Sequence, residues 1–223
     1  MTVAPSPADM TLDELRVHLA PMIADGAIFD GWGETALLDA AAQAGVDADV
    51  AKLAFKDDGT FGMIAAWIAS IDEAMAEALP PEKLAEMRIR ERIRALVQFR
   101  LDAVAGREEA LRRALAIMAM PRHAAAALKT GWHSADVMWR LAGDTATDWN
   151  HYSKRAILAS IYGATLTVFV SDESANKTET RAFLDRRLDG VMRFESFKRK
   201  WLSSEREHFS PMRFLGRLRY PAR

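Results

Sequence analysis

Apolar residues recur at three- and four-residue spacing along almost the whole chain, and strand-type alternation of Val, Ile and Thr is missing, so the pattern predicts an all-α fold. Leu12, Leu15, Leu19, Met22 and Ile23 make the first stripe, opened by Thr11 and Glu14 at capping-box spacing and ending near Asp30-Gly31. A second helix fits residues 34–44, Gly45 makes the turn, and Asp47 caps a short third helix over 47–55. Gly59 then precedes a long stripe through Phe61, Ile64, Trp67, Ile68, Ile71 and Met75, which Pro80-Pro81 breaks.

Beyond that break, helices are expected over 82–105, 107–119, a segment opened by Pro121, 148–171 and 177–202, with Pro211 setting off a last short piece at 212–220. The chain is thereby divided into a disordered lead (1–10), a helix-turn-helix head (11–80), a helical body (81–203) and a C-terminal tail (204–223). The fourth helix, ending at the break, is expected to pack on both head and body.

Half of the 223 residues are apolar, enough for a sizeable core, and the absence of cysteine excludes disulfides and Cys-ligated metals and fits a reduced cytoplasm. The first ten residues have neither the basic start nor the apolar run of a secretory signal. The longest apolar run, 156–170, is 15 residues and includes Ser160, Thr165 and Thr167, short of the roughly 18 a spanning helix needs. Charge changes the picture more. Residues 1–80 hold 14 acidic against 3 basic side chains, whereas residues 193–223 hold 9 basic against 3 acidic. An acidic head and a basic tail face different partners.

Residues 31–55, with Ala42-Gln43-Ala44-Gly45-Val46 at the tight turn, resemble the head of TetR-type regulators. In such heads the third helix enters the major groove and needs Lys, Arg and hydroxyl residues to meet phosphates. Here it offers Asp47, Asp49 and a single Lys52 within a segment of net charge −11, which repels a duplex. The unit is therefore read as structural, with no nucleic acid as partner; a TetR-type regulator answering to a lipid-like effector is the alternative.

Catalytic chemistry finds little support. Five histidines form no HExxH and no pair at i,i+4, and Glu205-x-x-His208 is one motif where a bundle di-iron site needs two and two further glutamates. No nucleophile elbow, Walker loop or dinucleotide fingerprint is present, so no catalytic residue, metal or cofactor is assigned. Arg88, Arg90, Arg92 and Arg94 alternate along one predicted helix and read as a solvated, salt-bridged surface.

From Met138 the chain reads MWRLAGDTATDWNHYSKRAILASIY to Tyr162. Met138-Trp139, Ala142-Gly143-Asp144, Thr147-Asp148, Tyr152, Arg155-Ala156, Leu158-Ala159 and Ile161-Tyr162 resemble the signature of the ubiquinone (coenzyme Q) biosynthesis accessory family of the COQ-nine type. The resemblance implies a TetR-like fold without DNA binding and a body pocket for an isoprenoid lipid or quinone. It also implies partnership with the di-iron hydroxylase acting late in ubiquinone synthesis, at the inner membrane surface. By analogy with the scaffold, a homodimer is expected.

The partner-facing positions implied by the family fall on Met138, Asp148, His151 and Tyr152, and at His151 this chain departs from the Trp often found there. Independently of the family, a helix beginning near Asp148 puts Asp148, His151 and Tyr152 on one face of its first turn. Asp148 can equally be a first-turn acid and Tyr152 a packed core aromatic. For the pocket, Leu96, Phe99, Leu115, Met118, Met120, Trp132 and Ile161 form a Met-and-aromatic set that can line an adaptable cavity, although ordinary packing uses the same residues.

At the C-terminus, helical projection gathers Met212, Phe214, Leu215 and Leu218 within an arc of about 160°, opposite Arg213 and Arg217. This is the pattern of a small interfacial helix at a membrane surface, or of one docked on the protein's own body.

Overall fold

The structure is a computed structural model that describes residues 6–145 and 149–205, with side chains described except at Trp149 and 192–205. The described residues form ten α-helices and three 3-10 turns, with no strand. The helices are α1 (Leu12–Ala27), α2 (Glu34–Ala44), α3 (Ala48–Ala54), α4 (Gly59–Ala78), α5 (Pro81–Ala85), α6 (Ile89–Ala103), α7 (Glu108–Met118), α8 (Ala124–Leu141), α9 (Trp149–Phe169) and α10 (Thr178–Glu205). Met1–Leu184 form one compact unit and Asp185–Arg223 a second, which holds the remainder of α10. In the stretch expected as a disordered lead, Pro7–Asp9 form a 3-10 turn.

Local chemistry sets the first three helices. Thr11 Oγ1 accepts from the Glu14 amide at 3.3 Å while Glu14 Oε2 accepts from the Thr11 amide at 2.8 Å, closing the capping box. Gly26 lies where an added Cβ would come within 3.2 Å of the Ala36 Cβ, so α1 and α2 approach closely. Gly45 takes φ 67° and ends α2, and Asp47 Oδ1 accepts from the amides of Asp49 and Val50 at the start of α3. Arg16 Nε donates to the Ala54 carbonyl and its guanidinium lies 5.9 Å from the Phe55 ring, tying α3 back to α1.

α4 is the central strut of the first unit. It buries Met63, Ile64, Trp67, Ile71 and Met75 and packs against α1 on one side and α6, α7 and α8 on the other. Pro80-Pro81 does end this helix, but the packing runs across the break. Trp32 Nε1, from the loop before α2, donates to the Ala110 carbonyl of α7 at 2.9 Å, and its ring sits 5.3 Å from that of Trp67.

The helix expected over 82–105 is two helices, parted at residues 86–88. Glu91 accepts from the Arg88 amide at 3.0 Å, which starts α6 afresh. Arg92 then reaches back to the carbonyls of Met87 at 2.9 Å and Ala85 at 3.0 Å, satisfying acceptors left by the end of α5. Its third bond, to the Ala142 carbonyl at 2.8 Å, pins the end of α8. Arg92 is thus a structural clamp, not a member of a merely solvated row.

Between α9 and α10 lies Asp172, 4% exposed, which accepts from the amide and hydroxyl of Ser174 (2.9 and 2.5 Å) and of Thr180 (2.8 and 2.6 Å). Burial pushes its carboxyl upward, but these hydrogen bonds outweigh burial and hold it well below its ordinary 3.8. A depressed carboxylate stabilises the fold fully above its unpaired value and loses that contribution as pH falls toward the lowered one. Asp172→Ala is expected to cost about 2 kcal/mol at pH 7, with the deficit shrinking below about pH 4. Urea unfolding curves across pH check this; an equal deficit at every pH would remove the carboxylate from the account.

Candidate functional site

A cavity of about 830 Å³ lies among α4, α6, α7, α8 and α9, within the size range of ligand pockets. It exists because small residues stand where two helices would otherwise fill it: Ala124, Ala127 and Gly131 on α8, and Ala156, Ala159 and Gly163 on α9. A Cβ added to Gly131 or Gly163 would meet nothing within 4 Å. The opposite wall is bulky, with Ile64, Trp67, Ile68 and Ile71 from α4 and Leu111, Leu115 and Met118 from α7. Leu128, 76% exposed, and the exposed Ser160 mark the rim, so the cavity opens on the α8–α9 side.

Leu115, Met118 and Trp132 are on this wall. Leu96 is fully buried in the core and Ile161 faces away from the lining row of α9, so neither is on the wall. Phe99 lines a separate hollow of about 440 Å³ with Leu79, Met87 and Gln98, and Met120 is 38% exposed and off the wall. The sequence reading missed the α4 contribution. The pattern held no sign of it: Ile64, Trp67, Ile68 and Ile71 fall on one stripe at i, i+3, i+4 and i+7, as on any helix packed against a core.

One polar cluster meets this apolar space. Arg100 of α6, 1% exposed, donates from Nη1 to Asp72 of α4 and from Nη2 to Ser134 Oγ of α8 at 3.2 Å. Ser134 donates in turn to Asp72 Oδ2 at 2.9 Å, and the Arg100 guanidinium lies 4.8 Å from the Tyr162 ring of α9. Arg100, Ser134 and Tyr162 all line the cavity.

The stretch 138–162 builds the α8–α9 junction. Gly143 turns the chain at φ 86°, and an added Cβ there would approach Arg92 Nη1 to 3.2 Å. Arg155, 2% exposed, binds Asp136 at 2.5 Å, Asp144 at 3.1 Å and the His151 carbonyl at 3.0 Å. Lys154 binds Asp144 at 2.7 Å and stands 5.3 Å from the Trp139 ring, whose Nε1 donates to the Lys154 carbonyl.

Of the four positions expected to face a partner, the structure brings two together. Tyr152 is 57% exposed, with its ring 5.1 Å from that of His151 and 6.1 Å from that of Trp132. Met138 is parted from them: it is fully buried on the inward stripe of α8 with Ser134 and Ala135, so its side chain is not on the surface. Asp148 lies outside the described residues, as do Met212, Arg213, Phe214, Leu215, Arg217 and Leu218 of the tail.

In the helix-turn-helix, the one basic residue of α3, Lys52, is paired with Glu34 at 2.6 Å, and the exposed face also carries Val50 and Leu53. Among the described residues no group of three or more His, Asp or Glu is placed to hold a metal ion, and no helix is long and apolar enough to cross a membrane.

Residues 124–195, from α8 into α10, match the COQ9 family model. Over 170 residues the chain is 32% identical to the rat mitochondrial ubiquinone biosynthesis protein COQ9 and 31% identical to its human counterpart, matching 73% of this chain in each case. These alignments cover 54% and 52% of the two relatives, so the chain spans about half the length of the curated relatives it matches. In architecture it is similar to a TetR transcriptional regulator from Nitrosomonas europaea, with a TM-score of 0.62, 23% identity, and coverage of 79% of this chain and 97% of the other.

Proposed function

We propose that this chain, which is similar to COQ9 proteins and has a TetR-like fold, serves ubiquinone biosynthesis as a non-catalytic lipid-binding accessory protein. It takes an isoprenoid lipid or quinone intermediate into the cavity and presents it to a di-iron hydroxylase. The observation that carries this reading is the cavity: about 830 Å³, walled by Ile, Leu, Met and Trp, and open on one side. Water gains little from such a space, whereas a prenyl chain entering it leaves water.

The supporting features lie close by. The exposed Tyr152, with the half-buried His151 ring against it, offers an aromatic patch beside the cavity wall, suited to docking an enzyme. The basic, amphipathic sequence of the tail suits contact with anionic lipid at an inner membrane. A homodimer is part of the same reading, through the last two long helices.

The architectural likeness favours a second reading, a DNA-binding regulator with a lipid-like effector. The acid-rich head argues against it, since the one lysine of α3 is already paired and Asp47 and Asp49 flank it.

Affinity capture of the tagged chain from solubilised membranes, followed by organic extraction and mass spectrometry, is the decisive experiment. An isoprenoid quinone recovered together with a di-iron hydroxylase is the expected result, with less lipid recovered by a chain ending at Ser210. Recovery of neither lipid nor hydroxylase, with sequence-selective gel retardation of promoter DNA, would favour the regulator.

A further inference from the structure

We propose that the Asp72–Arg100–Ser134 cluster is a polar anchor in the cavity wall, and that it selects a neutral amphiphile whose head presents a hydrogen-bond-accepting oxygen. This rests on the reading of the cavity as a lipid site.

Arg100 carries five N–H donors in a planar fork. Nη1 is directed to Asp72 and Nη2 to Ser134, but Nε is buried and donates to nothing. Folded proteins rarely leave a buried guanidinium donor unmet, and a site that completes its bonding only when a ligand arrives is one reason they do. The guanidinium is also held still: Asp72 pairs with it, Ser134 braces Asp72, and the Tyr162 ring covers one face at 4.8 Å. Such an anchor costs little to order on binding.

The chemistry of the cluster decides the class of head group. Both Asp72 oxygens are engaged, one by Arg100 and one by Ser134. What the cluster has to spare is therefore donor capacity, and it calls for an acceptor. Because Arg100 and Asp72 cancel in charge, an anion entering this space would lose its hydration without meeting an unbalanced cation. A ketone, ester or ether oxygen loses far less. An apolar molecule with no oxygen would fit the walls and leave Nε as it is.

Position adds the orientation. Asp72, Arg100 and Ser134 are each at least 95% buried, whereas the rim is formed by Leu128 and Ser160 on the α8–α9 side. The head group enters first and its chain trails toward the rim.

The test uses the full chain, isothermal titration calorimetry and three probes of one shape: 4-hexylacetophenone (neutral acceptor), hexylbenzene (none) and 4-hexylbenzoate (anion). Wild type is expected to bind the ketone about tenfold or more tighter than either of the others, the effect of one hydrogen bond from a charged donor. The double variant Asp72→Leu/Arg100→Met removes both charges together and strands neither. It should keep its hexylbenzene affinity and lose the preference. Equal binding of ketone and hydrocarbon by wild type, tightest binding of the benzoate, or a preference that survives in the double variant each overturns the anchor. Should that variant not fold, the order of the three probes on wild type decides alone. Failure of all three to bind overturns the lipid-site reading itself, which separates the two failures.

Discussion

Arg155→Met is expected to lower the free energy of unfolding by about 3 kcal/mol and the melting temperature by roughly 10 °C. The cause is what the change leaves behind. Arg155 is 2% exposed and neutralises Asp136 and Asp144, whose side chains are 14% and 5% exposed. Removing the cation takes the buried partner from two shielded carboxylates, leaving Asp144 to Lys154 and Asp136 to the exposed Arg140.

The pH dependence of this loss has a definite sign. Burial raises the Asp144 carboxyl, but Lys154 and Arg155 outweigh burial and hold it below its ordinary 3.8. The stabilisation is therefore complete above that value and lost as pH falls toward the lowered one. The variant's deficit should be full at pH 7 and diminish in acid. Lys154→Met, at a side chain 39% exposed, serves as the control and should cost about 1 kcal/mol or less. Chemical denaturation of the two variants is the measurement, and a loss under about 1 kcal/mol in Arg155→Met would mean the network contributes little.

The second large effect is on binding. Gly131→Phe and Gly163→Phe each place a ring in the space where the proposed lipid would lie, because both glycines line the cavity and an added Cβ meets nothing within 4 Å. Extractable lipid should fall about tenfold or more per mole of protein, since a ring excludes a chain from the same volume. Stability should move the other way, upward by about 1 kcal/mol, because a helical glycine is replaced and an apolar cavity is partly filled. Opposite signs in the two readouts separate a plugged site from a damaged fold. Unchanged lipid content in both variants would show that lipid, if present, sits elsewhere.

How much of this was legible beforehand depends on whether the determining chemistry is local. Thr11 with Glu14, Gly45 and Asp47 specify helix ends through neighbours within a few residues, and the helices they bound lie where their pattern put them. The break at 86–88 was hidden because it depends on Arg92, one of whose three acceptors, the Ala142 carbonyl, is 50 residues away. The cavity was half legible for a related reason. Leu115, Met118 and Trp132 carry the adaptable character that marks such walls, but the space itself comes from Gly131, Ala159 and Gly163, residues whose contribution is the absence of a side chain. The place of Ile64, Trp67 and Ile71 in the cavity wall comes from the contact of α4 with α6, α7 and α8, which periodicity within α4 does not show. In the surface patch, helical spacing put Asp148, His151 and Tyr152 on one face, and the rings of the last two lie 5.1 Å apart, whereas Met138 was joined to them by family likeness alone, and its place on the inward stripe of α8 is set by packing.

The 6.1 Å approach of the Tyr152 ring to that of Trp132 has a thermodynamic consequence. Trp132 belongs to the cavity wall and Tyr152 to the exposed face, so in the proposed function one pair of rings is shared between guest binding inside and docking outside. A guest that displaces the indole alters the seat of the phenol, and a body resting on the phenol alters the fit of the guest. Reciprocity then requires each to change the other's dissociation constant by the same factor, so that loading and docking, measured in either order, report a single coupling free energy.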